Sequence, residues 1–323
     1  MGGLDPNLLG GTTTLPLCST GGIPQIVPPR AGAIHTFRAM LPHHRLVPRT
    51  VAVLGALVTF SLVGMLSATA ATSGDFSYVG HRGYPQSRFT ENTIASFQNA
   101  YDHGAPAVET DVRLTSDKQF LLMHDQTLRR TTNCRHVHVA DRRIGWIQDH
   151  CHGRRRHEAL PDLTDFLRWG RDRAMNLVVE IKTDPLDRWR TADFARIDTL
   201  VKRFHMSDRV HLLSFSAPLL QLAERADPSF VTDWIVTRPQ LLDDASKVDA
   251  LASWVDSVSV SSSALTSERV DALQALGLSV YGRDTDLASD WALLRDVGAD
   301  GLLTDRVSAY GSWRQSAPPP VDP

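Results

Sequence analysis

The sequence predicts an α/β protein, and within that class a (β/α)₈ TIM barrel. From residue 76 onward, short apolar runs alternate with helical patterns, which is typical of a parallel sheet built from βα units. Eight strand candidates can be counted. They are spread over ~250 residues, the usual size of such a barrel. A doubly wound open sheet is the alternative, but no glycine-rich dinucleotide fingerprint follows the first strand candidate.

The predicted strands are runs rich in apolar and β-branched residues, bounded by turn residues. Their boundaries in the sequence are 76–83, 107–114, 176–182, 210–215, 231–236, 257–261, 278–281 and 301–304. A short extended piece, 119–124, follows the second strand.

Segments with helical spacing of apolar residues separate these strands. The first is Thr90–His103, in which Thr90 can serve as the N-cap with Glu91 in the first turn. The later predicted helices are 163–173, 218–225, 240–251, 267–276 and 289–297. The polar segment 131–158 shows no period and is predicted to be a long loop.

The first 74 residues differ in composition from the rest. Residues 1–39 are rich in Gly, Pro and Thr, and no packed structure is expected there. A basic stretch after Met40, an uncharged run at 51–71 and small residues up to Ala70 match a secretory signal peptide cleaved near Ala70. Met40 is then a candidate for the true start. The alternative is an uncleaved anchor, because 51–71 is long enough to cross a bilayer.

The remaining chain is expected to be an exported barrel domain, 75–312, followed by a Pro-rich tail, 313–323. The formal net charge of the whole chain is −2, which argues against a general attraction to nucleic acid. Arg154-Arg155-Arg156 is a local run of cations, interpreted as a solvated loop. A monomer without stable membrane insertion is expected once the signal peptide is removed.

Two cysteines, Cys134 and Cys151, remain after cleavage. An even number of cysteines in an exported chain predicts a disulfide, which would close the predicted loop 131–158. Zinc is the alternative, because five histidines surround the cysteines, but their spacing matches no standard zinc pattern. They are His136, His138, His150, His152 and His157.

Three carboxylates stand on two of the predicted strands. Glu109 and Asp111 are two residues apart, so on a strand they project from the same face. Glu180 stands near the end of another strand candidate. Residues at the carboxyl ends of barrel strands face a common site, and three carboxylates there suit a hard divalent cation such as Ca²⁺ or Mg²⁺.

These carboxylates belong to a series of short motifs. In order, they are His81-Arg82-Gly83, Glu91-Asn92-Thr93, Glu109-Thr110-Asp111-Val112, His124-Asp125 and Glu180-Ile181-Lys182. In order and spacing the series resembles the glycerophosphodiester phosphodiesterase family, over roughly residues 76–310. The resemblance implies a barrel of the phospholipase C-like phosphodiesterase type. It also implies hydrolysis of glycerophosphodiesters to an alcohol and glycerol 3-phosphate.

The resemblance also implies roles for individual residues. A phosphodiester resists nucleophiles because it is negatively charged, so its cleavage requires charge neutralisation and proton transfer. Arg82 and Lys182 would bind the phosphate, and Glu91 would bind substrate unless it only caps a helix. The remaining assignments are metal binding by Glu109, Asp111 and Glu180, and general acid/base catalysis by His81 and His124.

The sequence departs from the family at one place. The family usually has a Trp-Thr-Val-Asn block after the seventh strand, where this chain has Arg283-Asp284-Thr285-Asp286. The aromatic wall is then lost, or supplied by Phe215 or Trp234. Arg283 is predicted to contact phosphate, and Asp286 could instead meet a cationic head group.

Several substrates remain open. They are small glycerophosphodiesters such as glycerophosphocholine, phospholipid head groups and polyglycerolphosphate. The chain also resembles sphingomyelinase D in its histidine pair and Glu-x-Asp motif, so action on sphingomyelin or lysophospholipids is the alternative. A non-catalytic binding barrel is disfavoured, because no residue of the motif series is missing.

Overall fold

The computed structural model describes residues 77–183, 188–283 and 285–317. Eight parallel strands form a closed barrel with helices on its outside, which confirms the predicted fold class. The predicted signal peptide, Phe76, Asp284 and residues 318–323 lie outside the described residues. None of the described helices is long and apolar enough to cross a membrane.

The strands follow one another around the barrel in sequence order, apart from one antiparallel addition. Strand β1 pairs with both β2 and β9, which closes the barrel, and β3 is antiparallel to β2. The strands are β1 Ser77–Gly80, β2 Ala107–Leu114, β3 Phe120–Leu122, β4 Asn176–Ile181, β5 Val210–Ser214, β6 Val231–Val236, β7 Ser257–Ser261, β8 Ser279–Arg283 and β9 Gly301–Thr304.

The helices cover the outside of the barrel. They are α1 Ile94–Asp102, α2 Ile144–His150, α3 Leu163–Arg173, α4 Thr191–Arg203, α5 Ala217–Ala226, α6 Ala245–Ala252, α7 Ser267–Gln274, α8 Ala288–Asp296 and α9 Val307–Ser316. Short 3₁₀ turns occur at Val139–Asp141, Pro239–Asp243 and Ser262–Ala264.

The main core lies between the barrel and its helices. Phe97 of α1 and Phe166 of α3 are fully buried, and their ring centroids are 4.6 Å apart. They pack in one cluster with strand residues such as Val108 and Val112. Burying a side chain of this size contributes roughly 1.5–3 kcal/mol. This apolar layer fixes the strands, and with them the residues at the strand ends.

The register of the strands places polar residues on the inner face of the barrel. Asp111 lies opposite Glu180, Glu180 opposite Leu213, and Leu213 opposite Asp233. Residues paired across neighbouring strands share a face, so these side chains point to the same side of the sheet. The two acidic motifs predicted from sequence therefore meet where the middle of β2 lies beside the carboxyl end of β4.

The segment 131–158 is more ordered than predicted. It contains α2 and a 3₁₀ turn, and Ile147 belongs to a second small core with Leu121, Leu128 and Cys151. The sequence predicts one long loop here and misses α2, because this helix is only seven residues long, too short for a period to show. Its helical state depends on packing against residues outside the segment.

The predicted disulfide is confirmed. Cys134 and Cys151 are bonded with their Cα atoms 5.7 Å apart, and Cys151 is buried in the second core. The pairing leaves neither thiolate for zinc. Among the described residues, the histidines of this segment form no group of three potential metal ligands either.

Some predicted elements differ from those observed. Helix α1 begins at Ile94, and Thr93 rather than Thr90 accepts the capping hydrogen bond from the Ser96 amide. Helix α4 was missed, and α9 extends to Ser316, into the predicted tail. Most other boundaries shift by one or two residues, which is the normal uncertainty of helix and strand ends.

Replacing both bridging cysteines should destabilise the protein without changing its fold. The disulfide closes a loop across 17 positions, for which the chain-entropy model gives about 3 kcal/mol. Cys134→Ser/Cys151→Ser should therefore unfold at lower urea concentration than the oxidised parent. Adding reductant to the parent should reproduce this shift. Equal unfolding midpoints for the variant and the oxidised parent would contradict the assignment.

Candidate active site

Three buried carboxylates converge where the middle of β2 lies beside the carboxyl end of β4. One oxygen each from Glu109, Asp111 and Glu180 lies within 4.8 Å of the other two. Glu109 and Asp111 are fully inaccessible to solvent, and Glu180 is nearly so. The structure thus brings together the three residues predicted as metal ligands.

The turn after β1 fixes the position of Glu109. Arg82 adopts a left-handed backbone conformation, with φ 53°, and its amide donates to Glu109 Oε2 at 2.8 Å. Gly83 follows with φ 84°, and a Cβ atom there would lie 2.6 Å from the Ser96 backbone. Only glycine fits at that position, so the His81-Arg82-Gly83 motif serves the geometry of the turn as well as its chemistry.

Asn92 holds Asp111 in place. Its Nδ2 donates to Asp111 Oδ2 at 2.7 Å, while its Oδ1 accepts from the Asp111 amide and from Thr110 Oγ1. The backbone of Asn92 is left-handed, with φ 57°, a conformation that asparagine tolerates better than most residues. The Glu91-Asn92-Thr93 motif therefore positions a carboxylate.

Two cations contact the carboxylates directly. Lys182 Nζ lies 2.7 Å from Glu180 Oε1 and 3.2 Å from Asp111 Oδ1. Arg82 Nε lies 3.2 Å from Asp111 Oδ2, and its Nη1 donates to Glu91 at 3.0 Å. The two residues predicted to bind phosphate thus lie beside the acidic cluster, where they neutralise part of its charge.

Burial and mutual repulsion make the carboxylates unequal. Burial and the neighbouring Asp111 raise the pKa of Glu109 to about 8, and the same two causes raise that of Glu180. Burial opposes ionisation of Asp111 too, but Lys182 and Arg82 outweigh it and lower its pKa to about 2. The cluster has more negative charge than its cations balance, so it favours binding a proton or a metal ion.

The oxygen atoms of the cluster fit a hard divalent cation. Glu109 Oε1, Asp111 Oδ1 and Glu180 Oε1 are buried and accept no hydrogen bond of normal geometry, although Lys182 lies near two of them. Buried polar atoms without a partner are uncommon and call for a physical explanation. An all-carboxylate set suits Mg²⁺ or Ca²⁺ rather than a soft metal.

His81 stands at one side of the cluster and is held by Asp305. Its Nδ1 lies 2.8 Å from Asp305 Oδ1, which leaves Nε2 as the nitrogen available for proton transfer. Burial lowers the pKa of His81, but the hydrogen bond to Asp305 and the charge of Glu109 outweigh this and raise it to about 9. His81 is therefore cationic near neutral pH.

His124 is held in the same way by its neighbour in the sequence. Its Nδ1 lies 2.7 Å from Asp125 Oδ1. Burial lowers the pKa of His124, and the nearby carboxylate of Asp111 only partly compensates. His124 is therefore neutral near neutral pH. The two histidines thus differ in protonation, as a general acid and a general base must.

Glu91 does not belong to a helix, because α1 begins three residues later. Its carboxylate is paired with Arg82 Nη1 and with two nitrogens of Arg130, both at 2.6 Å. Arg130 also binds Asp125 through Nε at 2.7 Å. Glu91 thus links the two arginines, and the predicted helix-cap role is wrong.

Phe215 supplies an aromatic surface at the mouth of the barrel. Its ring centroid is 5.9 Å from Lys182 Nζ and 6.0 Å from the guanidinium carbon of Arg283. Both distances allow cation–π contacts. Trp234 alternates with Asp233 on β6, so it faces the helices, and its indole nitrogen donates to the Phe215 backbone. Of the two predicted replacements for the aromatic wall, Phe215 alone reaches the mouth.

Asp286 has a different position from the one predicted for a head-group contact. Its Oδ1 accepts from Thr304 Oγ1 and from the Asp305 amide, each at 2.9 Å. It thereby fixes the residue that binds His81.

Asp125, Arg130 and Asp305 were not assigned roles from the sequence. Asp125 belongs to the His124-Asp125 motif, and Asp305 and Arg130 lie in two weaker similarities to the family, Leu303-Thr304-Asp305-Arg306 and Leu128-Arg129-Arg130-Thr131-Thr132. The partner of Asp305 is 224 residues away in the sequence, so the contact depends on barrel closure. Arg130 likewise gains its role only when Glu91 is brought close.

Comparison with known proteins gives one family. The model of the glycerophosphoryl diester phosphodiesterase family matches residues 81–309. A protein of Mycobacterium tuberculosis named "Probable glycerophosphodiester phosphodiesterase 1" is 28% identical over 271 residues, covering 77% of this chain and 96% of its own.

Solved structures show the same fold. A phosphodiesterase of Oleispira antarctica in complex with the product sn-glycerol-3-phosphate aligns with TM-score 0.65 and 21% identity, covering 74% of this chain and 96% of its own. A glycerophosphodiester phosphodiesterase of Agrobacterium tumefaciens aligns with TM-score 0.60 and 24% identity, covering 73% and 99%.

The carboxylate cluster should bind one Mg²⁺ or Ca²⁺ ion per chain in calorimetry. Glu180→Gln removes one negative ligand and should weaken the affinity at least about tenfold, since metal binding requires ionised carboxylates. Affinity should also fall as pH decreases through about 8, where Glu109 takes up a proton. Asp296→Asn, at the exposed end of α8, is the control and should bind like the parent. Unchanged affinity in Glu180→Gln would contradict the site.

Proposed function

Because the chain belongs to the glycerophosphoryl diester phosphodiesterase family, and is therefore a phosphoric diester hydrolase, we propose that it hydrolyses glycerophosphodiesters with one divalent cation and two histidines. The products are an alcohol and glycerol 3-phosphate. The observation that supports this most is the convergence of three buried carboxylates with a cationic and a neutral histidine beside them.

The metal requirement rests on the donor set. Glu109, Asp111 and Glu180 would hold the cation. When bound, Mg²⁺ or Ca²⁺ supplies positive charge that offsets the negative charge of the phosphoryl oxygens. Arg82 and Lys182 add to this charge from the protein side. Among the described residues, Arg82 Nη2 makes no hydrogen bond, so this nitrogen would donate to a phosphate oxygen.

The histidines divide the proton transfers between them. His124 is neutral and accepts the proton of the attacking hydroxyl group as its oxygen forms a bond to phosphorus. His81 is cationic and donates its Nε2 proton to the oxygen of the leaving alcohol as that P–O bond breaks. The attacking hydroxyl belongs either to water or to the substrate's own glycerol, and the second route gives a cyclic phosphate that water then opens.

The mouth of the site is suited to a polar alcohol group. Lys182, Phe215 and Arg283 lie together there, so the rim combines positive charge with one aromatic face. Glycerophosphocholine-like molecules, phospholipid head groups and polyglycerolphosphate all contain the required diester. The names of the relatives disfavour the sphingomyelinase D-like alternative.

Export from the cell is part of the proposal. It is supported by the signal-like sequence before Ala70 and by the disulfide between Cys134 and Cys151, since disulfides persist in oxidising compartments. The first residue of the exported protein, read by mass spectrometry, distinguishes cleavage near Ala70 from retention of 51–71 as an anchor.

Phosphorus NMR tests the reaction. The purified protein with Mg²⁺ or Ca²⁺ should convert glycerophosphocholine to glycerol 3-phosphate and choline, and a chelator should stop the conversion. His124→Ala should lower kcat by at least about 100-fold, because general base catalysis is worth about that much. Cyclic phosphate produced from lysophosphatidylcholine, without turnover of glycerophosphocholine, would instead support the sphingomyelinase D-like alternative.

Asp305→Asn should change the pH dependence of kcat/KM. His81 must be protonated to act as an acid, so activity is lost as pH rises through its pKa. Asparagine removes the negative charge that raises this pKa, and the alkaline limb should therefore move to lower pH. Asp271→Asn, on the exposed surface of α7, is the control. An unmoved alkaline limb in Asp305→Asn would show that His81 is not the acid.

A further inference from the structure

We propose that a stripe of arginines beside the mouth of the barrel binds the surface of an anionic phospholipid bilayer. The proposal concerns a binding surface, so it does not depend on the proposed function. The cations of this arginine face are all exposed to solvent, and they are Arg88, Arg129, Arg135, Arg142, Arg154 and Arg156.

Positive charge is concentrated in the disulfide-linked part of the chain. Residues 129–158 contain eight arginines and three acidic residues, whereas the whole chain has a net charge of −2. One of the three acids, Glu158, is used internally, because it accepts from the amide and the hydroxyl of Thr90 at 2.8 and 2.9 Å. Within the described part of the chain, Arg129 and Arg135 form no ion pair with a carboxylate. Most of this positive charge is therefore not balanced by the protein.

The middle of the arginine face is concave. Arg129, Arg135 and Arg154 line a cavity of about 470 Å³ together with Arg130, which is already paired with two carboxylates. Guanidinium groups bind phosphate oxygens through paired, charge-assisted hydrogen bonds. The cavity has the size of a small-molecule site, so the phosphate of one lipid head group fits within it.

An aromatic ring stands at one end of the arginine face. The guanidinium carbons of Arg156 and Arg88 lie 4.8 and 5.7 Å from the centroid of the Phe89 ring, which is partly buried. The amide of Arg155 lies 3.4 Å from the hydroxyl of Thr90, the residue after Phe89. These contacts join the ring to the run of arginines that continues to the cavity.

A second ring stands at the other end. The guanidinium carbon of Arg142 lies 4.9 Å from the centroid of the Trp146 ring, and the His150 ring stacks on the same tryptophan at 4.6 Å. The backbone oxygen of His150 lies 3.6 Å from Sγ of Cys134, the residue before Arg135. Trp146 is partly buried, and this series of contacts connects it to the cavity.

The two rings favour a bilayer over a soluble polyanion as the partner. Side chains that combine an apolar part with a cation match the boundary of a bilayer, where lipid phosphates lie directly above the acyl chains. Tryptophan is enriched at this boundary for the same reason. A soluble polyanion offers negative charge but no apolar layer. The arginine face, with a ring at each end and cations between them, is therefore suited to peripheral binding at a lipid surface.

The arginine face lies beside the active site. Phe89 belongs to the connection between β1 and α1, which leaves the carboxyl end of the barrel, where the mouth is. Arg130 of the cavity is bonded to Glu91, and Glu91 accepts from Arg82 of the site. A bilayer bound to the arginine face would therefore lie next to the mouth.

Cosedimentation of the full chain with vesicles tests the proposal. Phosphatidylcholine vesicles with about 30% phosphatidylglycerol should bind the protein at least about tenfold more tightly than phosphatidylcholine alone. Arg129→Gln/Arg135→Gln should weaken this binding roughly 25-fold, since each basic residue at an anionic surface contributes about fivefold. Arg203→Gln/Arg225→Gln removes the same charge from exposed positions on α4 and α5 and should bind like the parent.

The dependence on lipid charge and salt completes this test. Residues 1–74 are present in every variant, so a difference between variants does not come from them. Raising the salt from about 0.1 M to 1 M shortens the Debye length from about 10 Å to 3 Å and should release the protein from the anionic vesicles. Equal binding to both kinds of vesicle would overturn the proposal, and so would parental affinity in Arg129→Gln/Arg135→Gln.

Tryptophan fluorescence tests contact with the lipid itself. Brominated acyl chains quench a tryptophan only when they are close to it, so they report whether the Trp146 end reaches the apolar layer. The parent should lose emission on vesicles that contain brominated phosphatidylglycerol, and Trp146→Phe should lose clearly less. Equal quenching of the two proteins would overturn the proposed contact.

Polyphosphate in solution provides the last comparison. If the parent binds polyphosphate but not the anionic vesicles, and Arg129→Gln/Arg135→Gln loses this binding, the arginine face binds a soluble polyanion and the bilayer proposal is overturned. Vesicle binding requires no turnover, so its outcome is separate from that of the proposed function.

Discussion

The repulsion among three carboxylates at one end of a closed barrel is the constraint around which the site is arranged. Glu109, Asp111 and Glu180 are buried where water cannot screen their charges. The surrounding hydrogen bonds and ion pairs, made by the groups that flank the carboxylates, restrict their positions without removing the excess negative charge. Burial of the apolar layer outside the barrel offsets the repulsion among the carboxylates during folding. The repulsion remains in the folded protein, so a bound cation that relieves it is stabilised.

The same charges give the two histidines different protonation states. The hydrogen bond to Asp305 stabilises the cationic form of His81, whereas burial of His124 is only partly compensated by Asp111 and Asp125. Each ring is fixed through Nδ1 by a carboxylate, so the same type of contact accompanies a cationic ring on one side and a neutral ring on the other. In the proposed reaction, the cluster would both bind the cation and set the direction of proton transfer.

Local signals in the sequence predicted the three carboxylates of the site, but not the contacts that hold the surrounding residues in place. The alternation of Glu109 and Asp111 on one strand, and the position of Glu180 at the end of another, are short-range features that barrel geometry converts into proximity. The pairing of His81 with Asp305 depends on closure of the barrel by β1 and β9, and helix α2 depends on a core built from distant residues. Such contacts depend on tertiary packing between residues distant in the sequence, so a short sequence pattern does not predict them.

Anomalous diffraction from crystals grown with Mn²⁺, which takes the place of Mg²⁺ at carboxylate sites, tests the central claim most directly. The account predicts one strong peak whose position is about 2.0–2.6 Å from an oxygen of each of Glu109, Asp111 and Glu180, the range of metal–carboxylate bonds. A peak elsewhere would contradict it. The same holds for crystals that show no peak among the carboxylates and in which Lys182 keeps its contacts with Asp111 and Glu180.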